Sequence, residues 1–343
     1  MPPLRQTQAA AILAVTLLIG SATASFAELT WRGTDLAADG IHKGAGLPLF
    51  TLYMDGAHST FATQEMTKDA PPWTVYFGVY NQYYYADRLH DEEGRNVSGR
   101  FHLSTYLLVE RIILLTPLRT GGGRIQHFFE TVPVFVATDF AVGAVAATTA
   151  GFGDLGLGTG FLFPEIYQSD ALKIEGTFDF DVFLPTGHYH PGGVRNLSFD
   201  TYSYLVSQDV TFHLRRIGNG FFLMLSVLSS GFTENDRFVN PLTGEQSRYE
   251  LGPSIQHIFK LLYHLNRDHT LNFGALGFFD FQYRDDRMDG SRIHNSAERS
   301  HMLGPVLSGV AGGFLIDLSL LREFGVRNRP EGTRVTIIVY RVF

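Results

Sequence analysis

The chain has 343 residues, a formal net charge of −7, 13% aromatic residues, 36 glycines and no cysteine. The acidic balance excludes a nucleic-acid partner recruited by charge, and the apolar and aromatic content excludes intrinsic disorder. Without disulfides, an exported chain of this kind must draw its stability from a large core or a closed sheet.

In chain order, residues 1–27 read as a secretory signal peptide. Arg5 charges a short leading segment, Ala9 to Gly20 is apolar or small, and Ser25-Phe26-Ala27 is a small-x-small cleavage site. That apolar run is shorter than the roughly 20 residues of a spanning helix, so cleavage is expected rather than anchoring. Residues 28–70 show no clean alternation and are expected to be an N-terminal extension that enters the remaining unit, 71–343, as a plug.

From residue 74 onward the recurring pattern is period-two alternation over long segments: 74–86, 101–115, 125–137, 154–164, 171–184, 200–215, 220–232, 248–263, 269–284, 299–309, 312–324 and 333–343. In Ala171 to Pro185, Leu172, Ile174, Phe178, Phe180 and Val182 take one face, while Lys173, Glu175, Thr177, Asp179, Asp181 and Phe183 take the other. A strand sorts residues in this way and a helix does not. Val132 to Ala150 is the best helical candidate, but it contains Pro133, Asp139 and Gly143. It reads as a strand end followed by an Ala/Thr-rich connection. Gly151-x-Gly153-Asp154 reads as a tight turn into the next strand, whose glycines leave the interior open, and not as a phosphate cradle, because a strand follows rather than a helix.

Segments this long fit a membrane, where a tilted strand needs about 9–11 residues, better than a soluble sandwich with strands of about 5–6. Tyr76, Tyr80, Tyr83, Tyr84, Tyr85, Tyr202, Tyr204, Tyr249 and Tyr263 lie within or at the ends of these segments, where a ring can meet lipid and its hydroxyl can meet water. At the C-terminus, Val335, Ile337, Val339 and Phe343 share one face and end on an aromatic. This resembles the strand by which outer-membrane barrels are recognised for assembly, with Arg341 as a departure. The expected fold is all-β: a transmembrane antiparallel up-and-down β-barrel of about twelve strands, closed because lipid leaves no partner for a free sheet edge.

The string Gly151-Phe152-Gly153-Asp154-Leu155-Gly156, followed by Phe161-Leu162-Phe163-Pro164, resembles the outer-membrane family named for the meta-cleavage pathway of phenol degradation. Leu184-Pro185-Thr186-Gly187-His188-Tyr189, the Asn235 to Gly244 loop, Phe281-Gln282-Tyr283 and Leu303-Gly304-Pro305 agree in order. The resemblance implies a porin-like channel of the bacterial outer membrane for passive uptake of small, hydrophobic or aromatic compounds. It also implies lipid bilayer, lipopolysaccharide and the outer-membrane assembly machinery as surroundings. The alternatives are a non-transporting scaffold or adhesin barrel, or a lipid-acting enzyme.

The residues expected to line the lumen are Tyr76, Tyr80 and Tyr84 on one face of the first strand, with Lys173, Glu175, Asp179, Asp181, Phe183, Arg248, Glu250, Lys260, Phe278, Asp280, Gln282 and Arg284. Charge on the lipid face would cost roughly 2–4 kcal/mol for Arg or Lys at the midplane. These charges therefore fill the interior with ion pairs, set a polar path, or do both. The aromatics offer a patch for an apolar guest. No catalytic motif joins Ser254, His213 and His257, the His188-Tyr189-His190 pair lacks a third metal ligand, and no cofactor is called for.

Overall fold

The computed structural model describes residues 71–96, 101–121, 125–142, 145–193, 196–239 and 244–343. The expected signal peptide and N-terminal extension lie outside the described residues. In chain order the strands are β1 Val75–Leu89, β2 Phe101–Thr120, β3 Ile125–Val132, β4 Val134–Val142, β5 Val145–Phe152, β6 Leu155–Gln168, β7 Leu172–Leu184, β8 Ser203–Leu214, β9 Phe221–Phe232, β10 Asn235–Val239, β11 Gln246–Glu250, β12 Ser254–His264, β13 Leu271–Gln282, β14 Arg287–Met288, β15 Ser291–Arg292, β16 Arg299–Ala311, β17 Phe314–Arg327 and β18 Pro330–Val342. No helix among the described residues is long and apolar enough to cross a membrane.

Fourteen of these strands form one antiparallel sheet that closes where β1 pairs with both β18 and β2. Tyr80 stands opposite Ile338 on one side and Val109 on the other. β3 and β4 are one stave interrupted at Pro133, which has no N–H to donate; its carbonyl still accepts the Glu110 N–H at 3.0 Å. β5 and β6 are likewise one stave, interrupted at Gly153-Asp154. The barrel therefore has twelve staves, as the alternation predicts.

Short turns close one end of the barrel and long segments the other. Leu184 to Ser203, Phe232 to Ser254 and Gln282 to Arg299 are loop-end connections. β10, β11, β14 and β15 form a separate four-stranded sheet there. The outer wall exposes Leu157, Leu225, Leu261, Phe273, Leu303, Leu320 and Ile337, an apolar band suited to lipid and not to water. Exposed Tyr83, Tyr85, Tyr202, Tyr204 and Tyr283 ring the loop end; Trp73, Tyr167 and Phe343 mark the turn end. Tyr249 lies in the small sheet, away from the wall.

Three expectations need correction. Val132 to Ala150 is not a connection: β4 and β5 form a hairpin that extends the barrel wall, with Val136 opposite Gly151 and Thr138 opposite Thr149. Small residues on both faces hide its alternation. The expected turn is a break within a stave at Gly153-Asp154, and Gly151 and Phe152 already belong to β5. The segment 248–263 is split, because Arg248 and Glu250 belong to β11 and the barrel strand begins at Ser254, after Gly252-Pro253.

Arg341 lies on the outer face of β18 at its turn-end limit. Its guanidinium stacks over Phe314 at 4.8 Å and Phe343 at 5.1 Å. An arginine near the interface costs only about 0–1 kcal/mol, and the two rings shield its stem. The position is tolerated for that reason.

Candidate functional site: the barrel lumen

Alternation sends every second side chain inward. On β1 these are Tyr76, Tyr80 and Tyr84, all buried, and on β7 they are Lys173, Glu175, Asp179, Asp181 and Phe183. The glycines of β6 do not leave the interior open as expected. A Cβ at Gly156 would strike the Phe183 ring, one at Gly158 the Asp181 carboxylate, and one at Gly160 the Phe128 ring. They make room for neighbouring side chains to fill the lumen.

Among the described residues, four ion-paired groups stand out in this interior. Arg111 of β2 donates to Glu130 of β3 through Nε and, at 3.0 Å, through Nη2, which also reaches Asp179 at 3.2 Å. Lys173 pairs with Glu175, whose other oxygen lies 3.0 Å from His213 Nε2. Lys260 donates to Asp317 at 2.5 Å. Near the loop end, Arg329 reaches Asp280 at 3.2 Å and Glu323 at 3.1 Å. Glu323 also accepts the Tyr84 hydroxyl at 2.5 Å, the Ser300 hydroxyl at 2.8 Å and the Gly332 N–H at 2.7 Å.

Apolar side chains pack between the charges. Tyr80, Tyr84, Phe183, Phe278 and Tyr340 belong to one contiguous cluster, with Leu107, Val136 and Ile338. The Tyr80 and Tyr340 rings meet edge to face at 5.5 Å. Tyr76 sits apart, with Ile113, Leu115, Phe128 and Leu162. Arg334 lies over the Phe278 ring at 4.4 Å. Beside that pair is a cavity of about 20 Å³ lined by Phe278, Arg334, Lys260, Asp317, Met224 and Ile338, among others. It has room for about one water.

Other candidates fall outside this interior. Gln282 sits at the rim and donates to the Arg284 carbonyl at 2.9 Å and to Asp286. Arg284 is beyond the end of β13 and pairs with Glu250 in the loop-end region. It stands past the barrel wall rather than on it, because β13 ends two residues earlier. Arg248 pairs with Glu234 there as well.

The candidate enzyme residues do not come together. Ser254 shares a hydrogen bond with Ser230 at 2.8 Å, His213 is held by Glu175, and His257 stands on the outer face opposite Val227 and Phe279. His188 and His190 are placed by backbone bonds, to Phe152 O at 3.3 Å and Asn196 Oδ1 at 2.8 Å. Among the described residues neither joins a group of three metal-ligating side chains.

Arg111, Glu130, Asp317, Glu323, Arg329 and Arg334 were not anticipated. Arg111 had a readable signal: it is the charge on a β2 face that otherwise runs Leu103, Leu107, Val109, Ile113 and Leu115. Arg334 alternates with Val335 in the same way.

Residues 86–338 match the protein family described as "Putative MetA-pathway of phenol degradation". No curated protein matches the chain. Among solved structures, the COG4313 outer membrane channel from Pseudomonas putida F1 superposes with a TM-score of 0.68 at 17% identity, covering 80% of this chain and 97% of that one. The transport unit of the autotransporter AIDA-I from Escherichia coli superposes with a TM-score of 0.50 at 7% identity, covering 90% and 98%. At such identities the likeness is one of fold.

Proposed function

The chain belongs to the family described as "Putative MetA-pathway of phenol degradation", and from that premise we propose that it is an outer-membrane channel for passive uptake of small hydrophobic or aromatic compounds. The observation that carries this reading is the lumen cavity where Phe278 and aliphatic side chains such as Ile258, Leu276 and Val306 meet Arg334 and the Lys260–Asp317 pair. A phenol-like guest would place its ring on Phe278 and its polar group toward the charges. The likeness in fold to the Pseudomonas putida F1 outer membrane channel supports the same reading.

Passage requires side chains to move, because the remaining cavity is far smaller than an aromatic ring. Barrels of this class place short turns in the periplasm and long loops outside. A guest then enters past the loop-end sheet and leaves toward Phe343. The signal peptide would deliver the chain to the assembly machinery, and residues 28–70 would form the periplasmic plug.

The test is planar-bilayer conductance of the purified chain, with and without phenol or toluene, alongside uptake of a labelled aromatic into liposomes. Discrete conductance altered by the aromatic is expected. Absence of both conductance and uptake would sink the channel. A second variant lacking residues 28–60 addresses the plug, which predicts faster flux; unchanged flux removes it. The filled lumen favours one competing reading, a scaffold barrel without transport, and that barrel would give neither signal.

A further inference from the structure

The Arg111 neighbourhood holds more negative charge than its arginine offsets. Glu130 takes two of the guanidinium contacts and Asp179 a third. Asp181 stands beside them and feels the charges of Glu130, Asp179 and Arg111. Its Oδ1 is buried without a hydrogen-bond partner. Glu130, Asp179 and Asp181 are 6, 0 and 3% exposed, so water does not screen them.

A separate residue points to the same place. Asp209 of β8 lies on the lumen face, 2% exposed, and feels Asp179 and Arg111. Neither of its oxygens accepts a hydrogen bond of good geometry; the Ser226 hydroxyl across the β8–β9 pair is the neutral neighbour that favours its charge. A buried ionised carboxylate in that condition costs several kcal/mol unless a bound cation or a proton neutralises it. Four carboxylates face one guanidinium.

We propose that Glu130, Asp179 and Asp181, with Asp209 beside them, form a binding site in the lumen for a hard divalent cation, calcium by preference. One oxygen from each of the first three lies within 4.8 Å of the others, close enough for small side-chain adjustments to bring all three onto one ion at calcium–oxygen distances of about 2.3–2.6 Å. The donors are oxygen throughout, which excludes a soft metal. Magnesium keeps several waters and demands near-octahedral geometry, whereas calcium accepts an irregular set of carboxylates. Gly158 belongs to the site in a negative sense: any side chain there would displace the Asp181 carboxylate. The ion would tie β3, β7 and β8 together next to the Pro133 break, whatever the barrel admits.

The experiment uses the full chain in detergent micelles, stripped with a chelator and titrated with calcium. Binding is read by calorimetry and by the thermal unfolding midpoint. One calcium per chain and a raised midpoint are expected, with both lost in Asp181→Asn and Asp209→Asn. The affinity should fall by more than the roughly 10–100-fold that loss of an outer-shell partner costs. No saturable calcium binding by the wild-type chain overturns the proposal, as does binding that survives both substitutions. If either variant is more stable than a wild-type chain that binds no calcium, protons supply the neutralising charge, which also overturns it. Should the variants fail to fold, tyrosine-sensitised terbium emission from the wild-type chain, displaced by calcium at one equivalent, keeps the test decisive; no such emission counts against the site.

Discussion

The carboxylate of Asp154 accepts the backbone N–H of Gly187 at 3.0 Å, and its other oxygen accepts that of Phe199 at 3.4 Å. Asp154 sits in the break between β5 and β6, so a residue of the barrel wall pins the ends of the loop that leaves β7. Close backbone packing of Gly187 on Gly153 requires that no side chain intervene at 187.

Asp154→Ala should release that loop. Two backbone N–H groups lose an acceptor, at about 1–3 kcal/mol where the group stays buried. Hydrogen exchange at Gly187 and Phe199 should quicken while exchange in β12 and β13 stays as it was. Asp154→Asn, which keeps an accepting oxygen, should retain much of the protection. Equal protection in the alanine variant would remove the anchoring role.

Arg111→Met should destabilise the barrel by about 3–5 kcal/mol, because it strands buried carboxylates rather than because the pairs are strong. Urea unfolding in micelles measures this. Adding Glu130→Gln to Arg111→Met should recover part of the loss. A double variant less stable than the single one would contradict this account.

Phe278→Ala should enlarge the cavity beside Arg334. Truncating a buried phenylalanine costs about 3–5 kcal/mol, so unfolding should move to lower urea. Conductance should rise and its sensitivity to phenol should weaken. Phe278→Leu should keep most of the stability yet lose the phenol effect, which separates packing from recognition.

The loop-end segment should loosen in acid. Burial alone would raise the Asp285 carboxyl, but hydrogen bonds from Arg292 at 2.6 Å, Ala297 N–H at 2.9 Å and Asn295 N–H at 3.3 Å outweigh it and hold the group below its ordinary 3.8. A depressed folded-state value stabilises above the unfolded one, and that stabilisation is lost as pH falls through the folded value. Amide exchange across 285–297 should therefore accelerate only below the ordinary carboxylate range. Arg292→Ala should move the onset to higher pH. Neighbouring Asp286 is raised by burial, which has the opposite sign and cannot produce loosening in acid.

The alternation that placed Asp179, Asp181 and Phe183 inside was legible because each strand is its own ruler: one residue fixes the face of the next. It failed where that ruler is interrupted. Pro133 and Gly153-Asp154 break staves without ending them, so β4 and β5 read as a connection. Beyond Gln282 and before Ser254 the chain has already left the wall, so Arg284, Arg248 and Glu250 shared a parity with the lumen residues but not their position.

The sequence by itself determined a closed, lipid-facing barrel of twelve staves, since period and segment length are local properties and lipid forbids a free edge. Which lumen residues meet was decided only by the tertiary structure. Arg111 and Asp179 are 68 positions apart, and Tyr84 and Glu323 are 239 apart. Their encounter depends on closure and on the register of every strand between them, which no single strand encodes.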